Sequence, residues 1–182
     1  NSYYGRAPVN YVGVDDSAIG EAAVHYLVER KHHRIAFLSG SEKLPTHIHL
    51  LQGMRRGLAA YGEDLPADRI GCTGYDETAA FEILDRWFET KRLRPTAIFC
   101  ADDQLLMHLY DYVEARRMRS PEDVAVLGRG NAGLISLLRP RPTAFYIPTF
   151  EMGELAAEML IDSIEEPTGN RQRVLLPFKL HV

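Results

Sequence analysis

The chain has 182 residues, a formal charge of −4 and 46% hydrophobic residues, enough for one domain with a proper core, or for one and a half. Basic residues are scattered among acidic ones, which argues against this segment being the main nucleic-acid surface. No apolar run approaches the ~20 residues of a membrane span, no secretory leader is visible at Asn1, and Cys72 and Cys100 each fall in a strand pattern, so reduced core thiols and a cytoplasmic setting are expected.

Taken in order, Asn1 to Pro8 is polar and reads as a linker. Val9 to Val14 predicts a strand, and Asp15-Asp16-Ser17 a turn and helix cap. Ile19, Ala22, Ala23, Tyr26 and Leu27 share one helical face. Arg34 to Leu38 is the next strand, ending in Ser39-Gly40-Ser41. Pro45 suits the first position of a helix whose buried face is Leu50, Leu51, Met54 and Leu58, and Gly62 stops it. A strand from Ile70 to Thr73 ends at Gly74-Tyr75, and Ala80, Phe81, Leu84 and Phe88 mark a third helix. Thr96 to Cys100 is a short apolar run of the kind a buried parallel strand needs. Asp102 and Asp103 then open a helix carried by Leu105, Leu109 and Val113, and the Arg116, Arg117 and Arg119 charges suit its C-terminal dipole.

Ser120 to Asp123 breaks the chain before a strand at Val124 to Leu127. Arg129 to Leu138 reads as a loop with an apolar end, and Arg139 to Pro142 as a stiff extended piece. Thr143 to Ile147 is a strand, Met152, Leu155, Ala156, Met159 and Leu160 a helical stripe, and Pro167 to Arg173 a loop. Val174 to Val182 is a last strand broken by Pro177. Strand and helix alternate through Gly128 with short connections, which predicts an α/β fold with a doubly wound parallel sheet. Such sheets bind ligands at the carboxyl ends of their strands.

Three segments carry a family resemblance: AIFCADDQ (97–104) leading through a helix to SPEDVAVLG (120–128), LVERKHHRIAFLSG (27–40), and TAFYIPTFEMGELAAEML (143–160). In this order they resemble the effector-binding domain of the lactose/purine-repressor-type transcription regulators, which has a periplasmic-binding-protein-like fold. The resemblance implies that residues 9–142 form the carboxy-terminal effector-binding lobe. Residues 143–167 would be a crossover strand and helix belonging to the amino-terminal lobe, and 168–182 a strand returning to the first. Most of the amino-terminal lobe and the DNA-binding head would then lie outside this chain. The absence of an initial methionine and the abrupt end at Val182 also read as a piece of a longer protein.

The resemblance marks Asp15, Thr46, Tyr75 and Asp102 as ligand-binding, with Asn131 at the margin. A plainer role stands beside each. Asp15 and Thr46 are also good helix caps, Tyr75 could simply pack over the sheet edge, and Asp103 is a simpler cap than Asp102. Two positions depart from the family pattern. Leu50 stands where an arginine often forks onto ligand hydroxyls or a carboxylate. Gly128-Arg129-Gly130-Asn131 replaces G-[FY]-D-D, so that Gly130 takes the place of an aspartate and Asn131 substitutes in part. Without the arginine, a neutral polyhydroxylated ligand such as a sugar is favoured over an acidic one.

No metal or other cofactor is expected. His47 and His49 point to nearly opposite sides of a helix, and no further ligand stands at metal spacing. Asp15, Asp16 and Asp102 could imitate a phosphotransfer pocket, but no lysine follows the last strand of the alternating region. No dinucleotide fingerprint, P-loop or nucleophile elbow occurs.

The leading reading is therefore not an enzyme but a small-molecule-sensing domain of a bacterial repressor, with DNA bound by a separate amino-terminal domain. A solute-binding protein of a transport system and a small α/β enzyme are the rival readings. A homodimer is expected through Leu106, Met107 and Tyr110, which lie off the sheet-facing stripe of their helix, and through Leu137 and Leu138. The stripe on the 150–165 helix is expected to lack a partner within this chain.

Overall fold

The computed structural model describes residues 9–165 and 171–182. The linker read at Asn1–Pro8 and the first part of the loop read at Pro167–Arg173 lie outside the described residues. The elements are β1 (Tyr11–Gly13), α1 (Asp16–Glu29), β2 (Ile35–Ser39), α2 (Pro45–Ala59), β3 (Ile70–Cys72), α3 (Glu77–Glu89), β4 (Ala97–Cys100) and α4 (Asp103–Ala115). They continue with β5 (Ala125–Asn131), α5 (Ala132–Ile135), β6 (Thr143–Ile147), α6 (Thr149–Glu165), β7 (Arg173–Leu175) and β8 (Lys179–His181).

A six-stranded sheet in the order β3-β2-β4-β5-β6-β8 carries the fold. Its strands are parallel except β8, which runs antiparallel along the edge of β6. From β2 the chain goes outward through α2 to β3, then returns through α3 to β4 on the far side of β2. Right-handed crossovers in opposite directions put α2 on one face and α3 and α4 on the other. The order reverses between β2 and β4, and that is the switch point where doubly wound sheets open a crevice. The central strands read as unbroken apolar runs because both of their faces are covered: every residue of β2 and β4 is buried. Phe37, Phe99 and Phe145 cross the sheet in sequence, with ring centroids 5.8 and 6.3 Å apart.

α1 and α2 approach unusually closely, at glycines. A Cβ on Gly20 would lie 2.2 Å from the Leu50 carbonyl oxygen, and one on Gly53 would lie 1.9 Å from the Ser17 carbonyl oxygen. Each helix therefore presses a glycine against the other's backbone.

Five expectations are corrected. The Thr143–Ile147 strand was expected with the amino-terminal lobe, but as β6 it lies in the six-stranded sheet, paired with β5. The Val9–Val14 strand was expected in the same sheet as its successors, but β1 pairs only with β7, in a separate two-stranded parallel sheet. Residues 129–138 are not a loop throughout: β5 runs on to Asn131 against β6, and a helical turn follows. Leu106 is not surplus apolar surface. It is fully buried because Gly128 has no side chain to oppose it; a Cβ there would sit 2.7 Å from its Cδ2. Cys72 ends an edge strand and is exposed, whereas Cys100 is buried.

The reading of the 150–165 helix stands. Only Met159 of α6 is buried, Met152 packs partly on the core, and Phe150, Leu160, Ile161 and Ile164 are exposed. No helix among the described residues is long and apolar enough to cross a membrane.

Candidate functional site

The loop after β3 turns back on two successive residues with positive φ, Gly74 at 62° and Tyr75 at 65°. Glycine tolerates this region; tyrosine enters it only when the surroundings hold it there. Here the Tyr75 amide donates to Thr73 Oγ1 at 3.0 Å, and Gln104 Nε2 donates to the Tyr75 carbonyl at 3.3 Å. The turn lays the ring over Gly40, at the end of β2, where a Cβ would come within 2.1 Å of the ring. Tyr75 as a whole remains 37% exposed.

The Tyr75 phenol lies near Asp102, the N-cap of α4, whose Oδ1 accepts from the Leu105 amide at 3.1 Å. Asp102 therefore caps its helix beside the aromatic residue. Burial raises the Asp102 carboxyl above its ordinary 3.8. Burial first, and then the Asp102 charge, push the Tyr75 phenol up to about 12. A phenol can donate and a carboxyl oxygen beside it can accept from ligand hydroxyls.

Asp103 Oδ2 accepts from the Asn131 amide at 3.1 Å. Gly130 permits this, since a Cβ there would be 2.9 Å from that of Asp103. Asn131 caps α5 through its side-chain oxygen, and its Nδ2 donates to Thr149 Oγ1 at 2.6 Å. Asp15 caps α1 by accepting from the Ala18 amide at 2.9 Å and stays exposed. Thr46 lies half-buried in the first turn of α2. It does not cap the helix, whose N-cap is Leu44 followed by Pro45, with no side-chain cap bond.

The structure thus places Tyr75 near Asp102 and bonds Asp103 to Asn131 at the strand ends, while Asp15 caps α1 and Thr46 is tied to none of them. Sequence reasoning missed Arg129. Its guanidinium crosses from β5, donates to the Ala101 carbonyl at 3.3 Å, and ends on Asp16 at 2.6 Å. Its signal is the Gly128-Arg129-Gly130-Asn131 departure itself, which puts an arginine where the family pattern has an aromatic residue. Asp16 is raised by burial, and opposed by Arg129 and by the nearby His49. His47 packs instead against the Phe37 ring, with centroids 5.4 Å apart, and near Cys72, so the two histidines do diverge. Among the described residues no group of three or more His, Cys, Asp or Glu gathers as metal ligands would.

A cavity of about 630 Å³ lies away from this cluster, bounded by Tyr110, Val113, Met118, Val126, Leu137 and Leu138. Its apolar wall is edged by Asp111, Glu114, Arg119, Glu122 and Arg139.

A doubly wound sheet whose strand order reverses between β2 and β4, joined by chain crossings to a second small sheet, defines a periplasmic-binding-protein-like fold. The chain belongs to the periplasmic binding protein-like domain family, whose description it matches over residues 24–182. It is 32% identical over 170 residues to the ribose operon repressor of Escherichia coli, across 89% of this chain and 49% of that protein. The solved structure of the transcriptional regulator CelR with cellobiose superposes with a TM-score of 0.86 at 30% identity, covering all of this chain and 56% of that one. A LacI-family regulator from Enterococcus faecium with bound ribose superposes with a TM-score of 0.87 at 23% identity, covering 98% of this chain and 65% of that one, which speaks to fold. The chain spans about half the length of the curated relatives it matches. These relatives are regulators of transcription rather than transport proteins or enzymes.

Proposed function

We propose that this chain is the effector-sensing part of a bacterial transcription repressor that responds to a neutral sugar. The Tyr75–Asp102 pair carries the reading. It places a partly exposed aromatic residue beside a half-buried carboxyl, a combination suited to an apolar sugar face and an adjacent hydroxyl. Asp15, Asp103 and Asn131 add acceptors around it, and Thr46 adds a hydroxyl at the rim. Asp15, Asp16, Asp102 and Asp103 against one arginine make the cluster a poor place for a phosphate or carboxylate. The ribose and cellobiose in the solved relatives fit the same class.

In this reading the six-stranded sheet is the carboxy-terminal lobe, and β1, α6 and β7 belong to a second lobe that completes the cleft. Ligand closure of the two lobes would alter the spacing of DNA-binding domains outside this chain, in the cytoplasm. Two copies associate through the mixed apolar and charged groove beneath α4. Met107 is 45% exposed and Leu137 74%, and Tyr110 and Leu138 line the groove.

The test is calorimetry on the full-length protein with ribose, cellobiose, a sugar acid and ribose 5-phosphate. Neutral sugars should bind in preference, and Tyr75→Ala with Asp102→Ala should abolish that binding. Preferred binding of the phosphorylated or acidic sugar, or binding indifferent to the double substitution, refutes the reading.

A further inference from the structure

We propose that Arg129 is a positioning residue: with Asp16 it clasps the crossing between the two sheets and sets the geometry from which the effector response starts. The inference rests on the effector-binding reading above. Both side chains are too enclosed to be ligand contacts, at 7% and 5% exposure. What they join is more informative. Asp16 opens α1 directly after the crossing from β1, and its amide donates to the Val14 carbonyl at 3.1 Å. Arg129 belongs to β5 of the six-stranded sheet and passes the end of β4 on its way to Asp16.

Two residues along β5, Asn131 reaches Thr149 at the start of α6, which is the crossing that follows β6. At the third crossing the Leu176 amide donates to the Gly13 carbonyl at 2.8 Å, tying the exits of β7 and β1 together. The last residues of β5 therefore send side chains to two of the places where the chain passes between sheets. Gly130 between them leaves room for Asp103.

A buried ion pair is directional, yet replacing both partners by uncharged groups of similar size is often neutral for stability, whereas removing one partner strands a buried charge. This separates a clasp from a merely structural pair. The guanidinium Nε is buried without a hydrogen-bond partner among the described residues, so the bond to Asp16 and the Ala101 contact are what hold the group in place.

The experiment uses the full-length protein with Cys72→Ser, spin labels at Glu89 on α3 and Glu158 on α6, and ribose and cellobiose as probes. Pulsed dipolar spectroscopy reads the distance between the labels. The double variant D16N/R129M should keep the melting temperature of the parent, broaden or displace the sugar-free distance distribution, and shift the sugar concentration for half response by about tenfold. R129M alone should lower the melting temperature. Tyr75→Ala should remove the sugar response while leaving the sugar-free distribution as it is.

A double variant with the parent's sugar-free distribution overturns the clasp. So does one that loses its fold outright, because the pair would then be structural. If neither sugar moves the labels in the parent, the sugar reading fails, and the sugar-free distributions still decide the clasp.

Discussion

Substituting Gly53 by alanine should destabilise the protein, although alanine is the better helix former. At an open helical position the exchange gains about 1 kcal/mol from propensity. At Gly53 the added methyl would lie 1.9 Å from the Ser17 carbonyl oxygen and 3.0 Å from the Glu21 amide nitrogen. Both are backbone atoms of α1, so no side-chain rotation relieves the overlap and the helices must separate. Overpacking of this kind costs about 1–3 kcal/mol, and a backbone collision belongs at the upper end. The net loss is then about 2 kcal/mol once about 1 kcal/mol of propensity is subtracted. With a urea slope of about 2 kcal/mol/M, the unfolding midpoint should fall by about 1 M. Trp87, the chain's single tryptophan, is fully buried and reports the transition by fluorescence. Gly153 in α6 is the control. A Cβ there meets nothing within 4 Å, so Gly153→Ala should raise the midpoint. A Gly53→Ala variant as stable as the parent would refute the claim that α1 and α2 meet backbone to backbone.

Asp102→Asn keeps the cap on α4 but removes a carboxyl that burial holds above its ordinary value. A raised folded pKa means that the carboxyl's contribution is complete below about pH 4 and is lost as pH rises through the folded value. The stability of D102N relative to the parent should therefore grow between pH 4 and pH 7 in urea titrations; a difference that is flat or shrinks contradicts the assignment. Leu137→Glu on the exposed rim of the groove should give monomers in sedimentation without loss of melting temperature. Leu106→Ala should do the opposite, costing about 2–5 kcal/mol through the cavity it leaves while the assembly persists. Leu137→Glu remaining dimeric would remove the groove from the interface.

The β4–α4–β5 unit was legible because each of its signals is local. Ala97 to Cys100 is uninterruptedly apolar, Asp102 stands one residue before the helix, and Leu105, Leu109 and Val113 keep its period. Tyr75 and Asp102 were each legible as strand-end residues, but not their nearness, since a loop of two left-handed residues, Gly74 and Tyr75, brings the ring across. The Arg129–Asp16 pair joins residues 113 positions apart, and nothing in either neighbourhood announces the other. β1 failed for a related reason: a three-residue strand looks the same in either sheet, and only its partner decides which one it joins. Leu106 misled because its burial depends on what Gly128 lacks, a property visible only once the strand lies beside the helix.

The pairing of β1 with β7 has a consequence for the order of events during synthesis. Asn10 and Gln172, which bond beside that ladder, stand 162 positions apart. Strands β2 to β6 need only neighbours already made or made soon after, so the central sheet can gather while translation continues. Tyr11 to Gly13 emerges before the central sheet yet must wait for Arg173 to Leu175, and loop closure over such a distance favours local contacts first. Interruption of translation before residue 173 should leave a chain whose central sheet is protected from proteolysis while its first strand is still open to it.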